Sequence, residues 1–343
     1  MRTLVILVNH NNKKDTVECL ESLRRLEGDF DVFVADNGSS DGSLDMIQAW
    51  AEGRVNVDMS AQAWDGVRDH PLTVPDITWG RYETEDLAKA DPVVRWLTFA
   101  STGGSRGFPA GNNVGLRYGL TREYDYFWLL NNDTVADPRS LSTLLNRMQT
   151  QPGIGLLGST LLFYARPNTV QAFGGCSYNP WLATSQAIGL NERYPASSSS
   201  HAPRPRIDHV LGAAMFVSRK VLEEVGLMNE ELYLYFDEID WTLRMKPNYE
   251  AAYEPTSIVY HKHGGTLGGG VKKPSRHRIY YMTTNRILFT RRHHPAALPV
   301  VVLALLAQAA KNVLRGRFEI AGWVLRDTIS ALTTARYPLR AIP

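Results

Sequence analysis

The feature that most constrains the fold is a repeated pairing of an apolar strand with a helix over roughly the first 150 residues. Strands are predicted at Leu4–Val8, Asp31–Ala35, Trp96–Phe99 and Tyr126–Leu130. Helices are predicted at Thr16–Arg25, Leu44–Trp50, the segment GNNVGLRYGL and a segment that begins at Pro138. Continuous apolar strands are typical of a sheet that is buried on both faces. The alternation therefore predicts an α/β fold with a mostly parallel sheet flanked by helices.

Other segments interrupt or follow this pattern. Residues 53–95 have no clear period and are interpreted as an insertion, and residues 195–206 are a low-complexity loop. A further strand and helix are predicted to end at Gly226, and one or two apolar or amphipathic helices follow Leu298.

Composition limits the class of protein. The chain is 44% hydrophobic, which supports a sizeable core, and Cys19 and Cys176 are too few for a disulfide framework. Two cysteines fit a reducing cytoplasm. The N-terminal apolar run is too short for a signal peptide and is interpreted as a strand. We expect no stretch to reach the ~20 apolar residues that a membrane-spanning helix needs.

The net charge of +2 is unevenly distributed. Residues 272–343 carry thirteen Lys and Arg against Glu319 and Asp327, so this tail is strongly basic and the rest of the chain is acidic. With the apolar run Leu298–Ala310, this favours helices that lie on an anionic membrane surface. A helical pair that packs on the catalytic domain or forms a homodimer interface is the alternative. No recognition motif accompanies the charge, so no nucleic-acid partner is expected.

Polar residues follow three of the predicted strands. They are Asn9-His10-Asn11, Asp36-Asn37 and Asn131-Asn132-Asp133. In an open parallel sheet, ligands bind beyond the carboxyl ends of the strands, so these groups are expected to converge on one crevice. Ordinary turns are the alternative interpretation of each cluster, because Asn, Asp and Gly are turn residues.

Five segments together resemble one family. In order they are LVNHNNKKDTVECLESL, VADNGSSDGS, GGSRGFPAGNNVGLRYGL, LLNNDTVADP and YLYFDEIDWTLR. They are similar to the motifs of glycosyltransferase family 2, and most similar to its bacterial rhamnosyltransferase-type branch. The resemblance covers about residues 3–292 apart from the insertion. It implies an inverting enzyme with the GT-A fold that uses a dTDP-, UDP- or GDP-sugar donor.

The resemblance also implies the donor site. Asp36 stands where the family reads the nucleotide base, and a carboxylate suits an N–H of uracil, thymine or guanine. Residues implied to line the rest of the donor site are Asn9, His10, Gly107, Asn112, Asn113, Asn131, Asn132 and Arg286. Asn131 is expected to meet the ribose, and Ser105 stands where the family usually has Asn. Arg286 either contacts the diphosphate or packs the domain.

The metal site is implied by the family's strand-terminal acidic motif. Asp133 is expected to bind Mg²⁺ or Mn²⁺, which bridges the donor's two phosphates and takes hard oxygen ligands. His261 matches the family's late histidine, a second metal or phosphate ligand, and His263 is the competing candidate.

The acidic segment FDEIDW is expected to carry the chemistry. Inverting transfer needs a base for the acceptor hydroxyl, and the family places a carboxylate pair here. In the family the second member of the pair, usually Glu-Asp, is the base, so Glu238 is the predicted base; the reversed order in this chain leaves Asp237 open. Asp237 also shares a helix face with Asp240, whereas Glu238 does not. The alternative interpretation is an acidic helix start favoured by the helix dipole.

The sequence thus predicts a metal-dependent glycosyltransferase that moves a sugar to a lipid-linked or cell-surface glycan. The donor implied by the resemblance is dTDP-rhamnose. We expect a catalytic domain over residues 1–292 and basic C-terminal helices over residues 293–343, at the inner face of the cell membrane. A sugar nucleotidyltransferase and a non-catalytic glycan- or membrane-binding protein are the alternatives.

Overall fold

A computed structural model of the protein describes residues 1–87, 95–194, 206–262 and 274–334. Within these ranges the strands are β1 (Thr3–Asn9), β2 (Phe30–Asp36), β3 (Trp79–Glu83), β4 (Leu97–Ser101), β5 (Tyr126–Asn131), β6 (Thr134–Ala136), β7 (Ile154–Phe163), β8 (Arg166–Phe173), β9 (Gly175–Asn179), β10 (Thr184–Ala187), β11 (His209–Val210), β12 (Ala214–Ser218) and β13 (Glu250–His261). The α-helices there are α1 (Lys13–Leu23), α2 (Ser43–Ala51), α3 (Phe108–Leu120), α4 (Ser140–Thr150), α5 (Arg219–Val225), α6 (Asp237–Met245), α7 (Arg276–His293), α8 (Leu298–Leu314) and α9 (Phe318–Thr333).

One large sheet organises the molecule. Its strand order in the described residues is β3-β4-β2-β1-β5-β12-β7-β13-β6, with β8 paired to β7. The first five of these strands are parallel, whereas β12 runs antiparallel to both β5 and β7. A small second sheet has the order β10-β9-β11. The α/β prediction of a mostly parallel sheet flanked by helices, with helices at the C-terminal end, is confirmed.

The apolar strands form two cores, one on each face of the sheet. Val5 and Leu7 of β1 pack with α1 and α2, whereas Leu4 and Ile6 pack with α3. Successive side chains of a strand point to opposite faces, so a continuous apolar run is buried on both sides. Each such side chain contributes about 1.5–3 kcal/mol when fully buried. The sheet is therefore a rigid base for the groups at its strand ends.

The insertion contains structure that the sequence does not predict. Trp79–Glu83 forms β3, a parallel edge strand beside β4, and Trp79 stacks on Phe99 with ring centroids 5.8 Å apart. Trp64 is buried and donates its indole N–H to Glu18 of α1 at 2.8 Å. Residues 53–95 have no clear hydrophobic period, so the sequence gives no prediction of β3. Residues 88–94 of the insertion and 195–205 of the low-complexity loop lie outside the described residues.

The C-terminal segment forms two helices, as predicted. Val301, Leu305 and Val324 are buried in one cluster with residues of α6 and α7, so α8 and α9 pack on the rest of the molecule. An ion pair between Arg276 and Asp327 joins α7 to α9, with an Nη2–Oδ1 distance of 2.7 Å. The expected domain boundary after residue 292 falls at the end of α7, within this shared cluster.

The outer face of these helices is apolar. Leu303, Phe318 and Ile329 are 65%, 69% and 63% exposed. In the described residues, the segment Pro295–Leu314 is long and apolar enough to cross a membrane by length and composition, with a mean hydropathy of 1.8. The expectation that no stretch reaches that length is therefore corrected, because the helix extends beyond the run Leu298–Ala310.

Candidate active site

The three predicted strand ends meet at one edge of the sheet. Asn9 at the end of β1 pairs with Asp36 at the end of β2, and Val8 pairs with Asn131 at the end of β5. The Asn9 amide donates to Asp36 Oδ1 at 2.6 Å, and the Asn132 amide donates to Asn9 Oδ1 at 3.1 Å. The expected convergence of these polar groups is confirmed.

This polar network is buried and hydrogen-bonded. Asn9 is 0% and Asp36 2% exposed, and the backbone N–H of Ser39 donates to Asp36 Oδ2 at 3.1 Å. Thr16 at the start of α1 donates its hydroxyl to Asn9 Oδ1 at 2.8 Å. The half-buried His10 places Nδ1 2.9 Å from the carbonyl oxygen of Asn37. Such a network fixes the turn after β2, so Asp36 is held rigidly at the end of this strand.

Asp133 and His261 face each other beside this network. Pairing between β13 and β6 sets His261 opposite Thr134, the residue after Asp133. His261 Nε2 lies 3.1 Å from Asp133 Oδ1, and His261 Nδ1 lies 2.9 Å from the side-chain oxygen of Gln171 on β8. Burial raises the pKa of Asp133, but the charge and hydrogen bond of His261 outweigh burial and hold that pKa below its ordinary value.

The Asp133–His261 pair fits a divalent cation in its donor chemistry. Because the amide oxygen of Gln171 only accepts hydrogen bonds, it favours a proton on Nδ1, so a cation that displaces the Nε2 proton would meet the Nε2 lone pair beside Asp133. The Asn131 amide nitrogen, a donor, lies 3.3 Å from the same Nε2. No cluster of three or more His, Cys, Asp or Glu ligands occurs in the described part of the chain. Mg²⁺ needs only one or two protein ligands when substrate phosphates and water complete its shell. His263, the competing candidate, lies outside the described residues.

The glycine-rich loop is held by backbone contacts. Gly107 has φ +86°, and a Cβ there would lie 2.4 Å from the carbonyl oxygen of Tyr233, so glycine is required. The Asn37 amide donates to the Gly107 carbonyl at 3.1 Å. Ser105 forms a hydrogen bond with the Tyr233 hydroxyl. The loop is thereby fastened both to the end of β2 and to the segment before α6.

Asn112 and Asn113 on α3 are buried and bond protein groups. The Asn112 amide donates to the Phe108 carbonyl at 3.0 Å. Asn113 donates to the carbonyl of Met228 and to Glu230, each at 2.9 Å, and accepts from the Met228 N–H at 3.1 Å. Through these contacts Asn113 connects α3 to the segment that leads to α6. Contact of Asn112 or Asn113 with the nucleotide-sugar stays a prediction.

The acidic pair begins α6, as predicted, but its two carboxyl groups differ. Asp237 is 2% exposed, and its Oδ2 has no hydrogen-bond partner in the residues that the structure describes, whereas Glu238 is half-buried. Burial, and then the neighbouring charge of Glu238, raise the pKa of Asp237 well above its ordinary value. Asp240 is anchored by His293 at 2.9 Å and Arg244 at 2.8 Å. Glu238 is thus the more accessible carboxylate, and Asp240 is structural.

A strained turn precedes this pair. Tyr235 and Phe236 both have φ +68°, which non-glycine residues rarely adopt. Asn285 of α7 is 0% exposed and donates its amide to the carbonyls of Leu234 at 2.8 Å and Tyr235 at 3.2 Å. Sequence reasoning misses Asn285 and Gln171, because neither stands in a local motif and only the tertiary fold brings them to the site.

Arg286 lies on α7 among packing contacts. It is 8% exposed, and its Nε and Nη2 donate to the Leu182 carbonyl at 2.8 Å and 2.5 Å. The sequence leaves open whether Arg286 contacts the diphosphate or packs the domain, and the observed contact is a packing contact.

Comparisons with known proteins agree with this architecture. A model described as glycosyltransferase-like family 2 matches residues 81–278, and a glycosyl transferase family 2 model matches residues 4–68. The low-salt glycan biosynthesis hexosyltransferase Agl10 of Haloferax volcanii is 26% identical over 170 residues, 47% of this chain and 52% of that protein. The chain thus spans about half the length of this curated relative.

Solved structures are similar in fold. GalNAc-T7 with UDP, GalNAc and Mn²⁺ has a TM-score of 0.59 at 11% identity, over 99% of this chain and 58% of that one. The mannosyltransferase PcManGT from Pyrobaculum calidifontis, in complex with GDP-Man and Mn²⁺, has a TM-score of 0.49 at 15% identity, over 96% of this chain and 87% of that one. The predicted GT-A fold is confirmed. Because the larger family match covers more than half of the chain, this protein belongs to glycosyltransferase-like family 2.

Proposed function

We propose that this chain is an inverting, metal-dependent glycosyltransferase that moves a sugar from a nucleotide-sugar to a lipid-linked or cell-surface glycan. The observation that carries the proposal is the convergence, at one edge of the sheet, of the Asn9–Asp36–Asn132 network and the Asp133–His261 pair. Family membership supports the same reaction class. The finer identity of the donor, rhamnose from dTDP-rhamnose, rests on the sequence resemblance alone.

Each group has a proposed task. Asp36 accepts an N–H of the base, with Asn9 and His10 beside it, and Asn131 meets the ribose. Asp133 and His261 would hold Mg²⁺ or Mn²⁺, which as a Lewis acid stabilises the charge of the departing diphosphate. Gly107 lets the loop before α3 pack on the Tyr233 carbonyl, and the N-terminus of α3 that follows is proposed to face the phosphates of the donor sugar nucleotide.

Glu238 is the proposed base. A base must reach the acceptor hydroxyl, and Glu238 is half-buried whereas Asp237 is enclosed. The raised pKa of Asp237 favours its neutral form, so Asp237 is less suited to accept a proton. The proton of the acceptor hydroxyl therefore passes to the Glu238 carboxylate as the new glycosidic bond forms.

The proposed location is the inner face of the cell membrane. Exposed apolar side chains on α8 and α9 lie in a segment that also carries the exposed cations Arg315, Arg317 and Arg326. This combination suits a helix pair that lies on an anionic membrane and would bring the catalytic domain to a membrane-bound acceptor. Arg336 and Arg340, which also contribute to the basic tail, lie outside the described residues.

A melting-temperature panel tests the proposal. UDP, GDP and dTDP are added with and without Mn²⁺, the ion in the GalNAc-T7 complex. We expect one of these diphosphates to stabilise the protein in a metal-dependent way, because a ligand that binds only the folded state raises its stability. Hydrolysis of the matching nucleotide-sugars then identifies the donor.

The opposite result is equally clear. If no diphosphate changes the melting temperature with Mn²⁺ or Mg²⁺, and no nucleotide-sugar is hydrolysed, the catalytic proposal is wrong and a non-catalytic scaffold is favoured. Release of inorganic pyrophosphate from a nucleoside triphosphate and a sugar phosphate would instead identify a nucleotidyltransferase.

A further inference from the structure

A groove with a volume of about 260 Å³ lies between α7 and the two C-terminal helices. Arginines line it from both sides: Arg278 and Arg286 from α7, and Arg317 from the turn before α9. Its remaining wall combines apolar side chains such as Met282 and Ile320 with the amides of Gln308 and Asn312. No Asp or Glu is among the described residues that line it.

The arginines of this groove have no carboxylate partner in the described residues. Arg278, Arg286 and Arg317 take part in none of the ion pairs found there. Arg286 is 8% exposed, and its Nε and Nη2 bond only the neutral carbonyl of Leu182 in the same residues. Desolvating an unpaired charge is costly, so the groove favours an anion that offsets the cost.

The anion that fits best is a phosphate ester with an apolar tail. Guanidinium groups bind phosphate through paired, charge-assisted hydrogen bonds. Met282 lines the groove and is 39% exposed. Leu314 and Phe318, close to Arg317 in sequence, are 88% and 69% exposed. Apolar groups beside a cationic pocket match an amphipathic ligand whose chain stays in the membrane.

The groove is also close to the proposed catalytic base. Burial raises the pKa of Tyr235, Arg278 lowers it by its charge, and Glu238 raises it. The contacts agree: Asn285 of α7 donates to the Tyr235 carbonyl at 3.2 Å, and Ile279 of α7 is buried in one cluster with Ile239, the residue after Glu238. The groove and the proposed base therefore lie on neighbouring, packed elements.

We infer that this groove binds the phosphate of a lipid-linked acceptor, a phosphate or diphosphate ester of a long-chain alcohol. The inference deepens the proposed glycosyltransferase function and rests on it. Arg278 and Arg317 hold the phosphate at the membrane surface, and Arg286 supplies the buried positive charge beneath them.

Vesicle binding tests the inference with a simple probe. Phosphatidylcholine vesicles carry either dodecyl phosphate or phosphatidylglycerol at equal surface charge. We expect the intact chain to bind the dodecyl phosphate vesicles about tenfold more tightly, because a monoester phosphate accepts more charge-assisted bonds than a phosphodiester does. The variant R278Q/R317Q changes two exposed side chains and should lose this preference while keeping its melting temperature.

The matched control is R315Q/R326Q, which removes the same charge from exposed positions that do not line the groove. It should weaken binding to both vesicles equally and keep the preference. Equal binding of the intact chain to both vesicles, or equal loss of preference in both variants, overturns the inference. Displacement by low-millimolar inorganic phosphate would also overturn it, because the groove would then take free phosphate.

The melting-temperature panel with nucleoside diphosphates and Mn²⁺ separates the two proposals. If the nucleotide response is present but the phosphate preference is absent, only the groove inference fails. If the preference is present without any nucleotide response, the groove stands and the proposed transfer reaction fails.

Discussion

Asp237 and Glu238 are adjacent in sequence, yet the fold gives their carboxyl groups different surroundings. Asp237 points into the protein, where burial and the charge of Glu238 raise its pKa well above the ordinary value. Glu238 remains half-buried at the start of α6. The raised pKa favours the neutral form of Asp237, while Glu238 stays accessible, and this difference suits the proposed role of Glu238 as the base.

Replacement of the proposed base tests this division. Glu238→Gln should lower kcat by roughly 10²–10⁴, because it removes proton acceptance and retains size. Nucleoside diphosphate binding, measured by calorimetry, should not change. Near wild-type transfer by Glu238→Gln, together with an inactive Asp237→Asn, would assign the base to Asp237 instead.

The protonation of Asp237 predicts a pH-dependent stability difference. Its folded-state pKa is raised, so its stabilising contribution is fully present below the ordinary carboxyl pKa and is lost as pH rises through the folded value. Asp237→Asn imitates the neutral carboxyl group. The variant should match wild type near about pH 4 and become progressively more stable than wild type as pH rises toward about 8. Urea unfolding across this range measures the difference, and a difference independent of pH would contradict the raised pKa.

Gln171 is predicted to act through His261. Its side-chain oxygen lies 2.9 Å from His261 Nδ1 and orients the imidazole toward Asp133. Gln171→Leu should weaken Mn²⁺ affinity in the nucleoside diphosphate complex by roughly 10–100-fold, the usual effect of losing such a partner. Gln171→Glu keeps an acceptor at this position and should retain most of the affinity. Equal Mn²⁺ binding in all three proteins, measured by calorimetry, would show that Gln171 has only a packing role.

Among the elements, α7 links the catalytic segment to the C-terminal helices. One of its faces carries Asn285, which holds the carbonyls of the left-handed turn before α6. Another face packs with Val301 and Ile320 of α8 and α9. Backbone strain at a site persists only where surrounding structure enforces it, and here α7 provides that restraint.

Asn285→Ala should therefore affect catalysis as well as stability. Loss of its amide leaves two carbonyls without this partner and should lower the free energy of unfolding by about 1–3 kcal/mol. It should lower kcat more than it changes nucleotide affinity, because Glu238 follows the released turn. Thr284→Ala is the matched control, since Thr284 is also buried on α7 but bonds the Tyr280 carbonyl of its own helix at 2.8 Å. Equal effects of both variants on kcat would leave Asn285 with a purely structural role.

The limits of sequence-based prediction are also clearest among the elements. β1 and β5 are predictable because their apolar runs are continuous, and the crevice is predictable because Asn9 and Asp36 directly follow such runs. β3 is missed because it is an edge strand in which only Gly80 is buried, so hydrophobic periodicity is weak. Gln171 reaches the site only through the pairing of β8 with β7, which no local pattern encodes.

At the scale of the whole molecule, α8 and α9 have two apolar faces with different roles. The inner face is buried against α7 and α6, so removal of residues 297–343 would expose core residues of α7 such as Ile287 and Phe289. The basic sequence of this tail suggests truncation as a test of membrane binding, but truncation would also disturb the core and is therefore a poor test. The outer face, with Leu303 and Ile329, is exposed and can be altered without disturbing this core.

The double variant L303S/I329S should bind anionic vesicles about ten- to a hundredfold more weakly than wild type, because each side chain loses apolar burial in the membrane interface. The lost component should persist at high salt, whereas the contribution of the cations, about 1 kcal/mol each, is screened. The matched control is L72S/L190S, which alters exposed leucines outside these helices, 39% and 49% exposed, and should bind as wild type does. Flotation with phosphatidylglycerol vesicles measures the binding. If L303S/I329S floats like wild type but changes a dimer to a monomer in size-exclusion chromatography, the outer face is a dimer interface and the membrane interpretation is wrong.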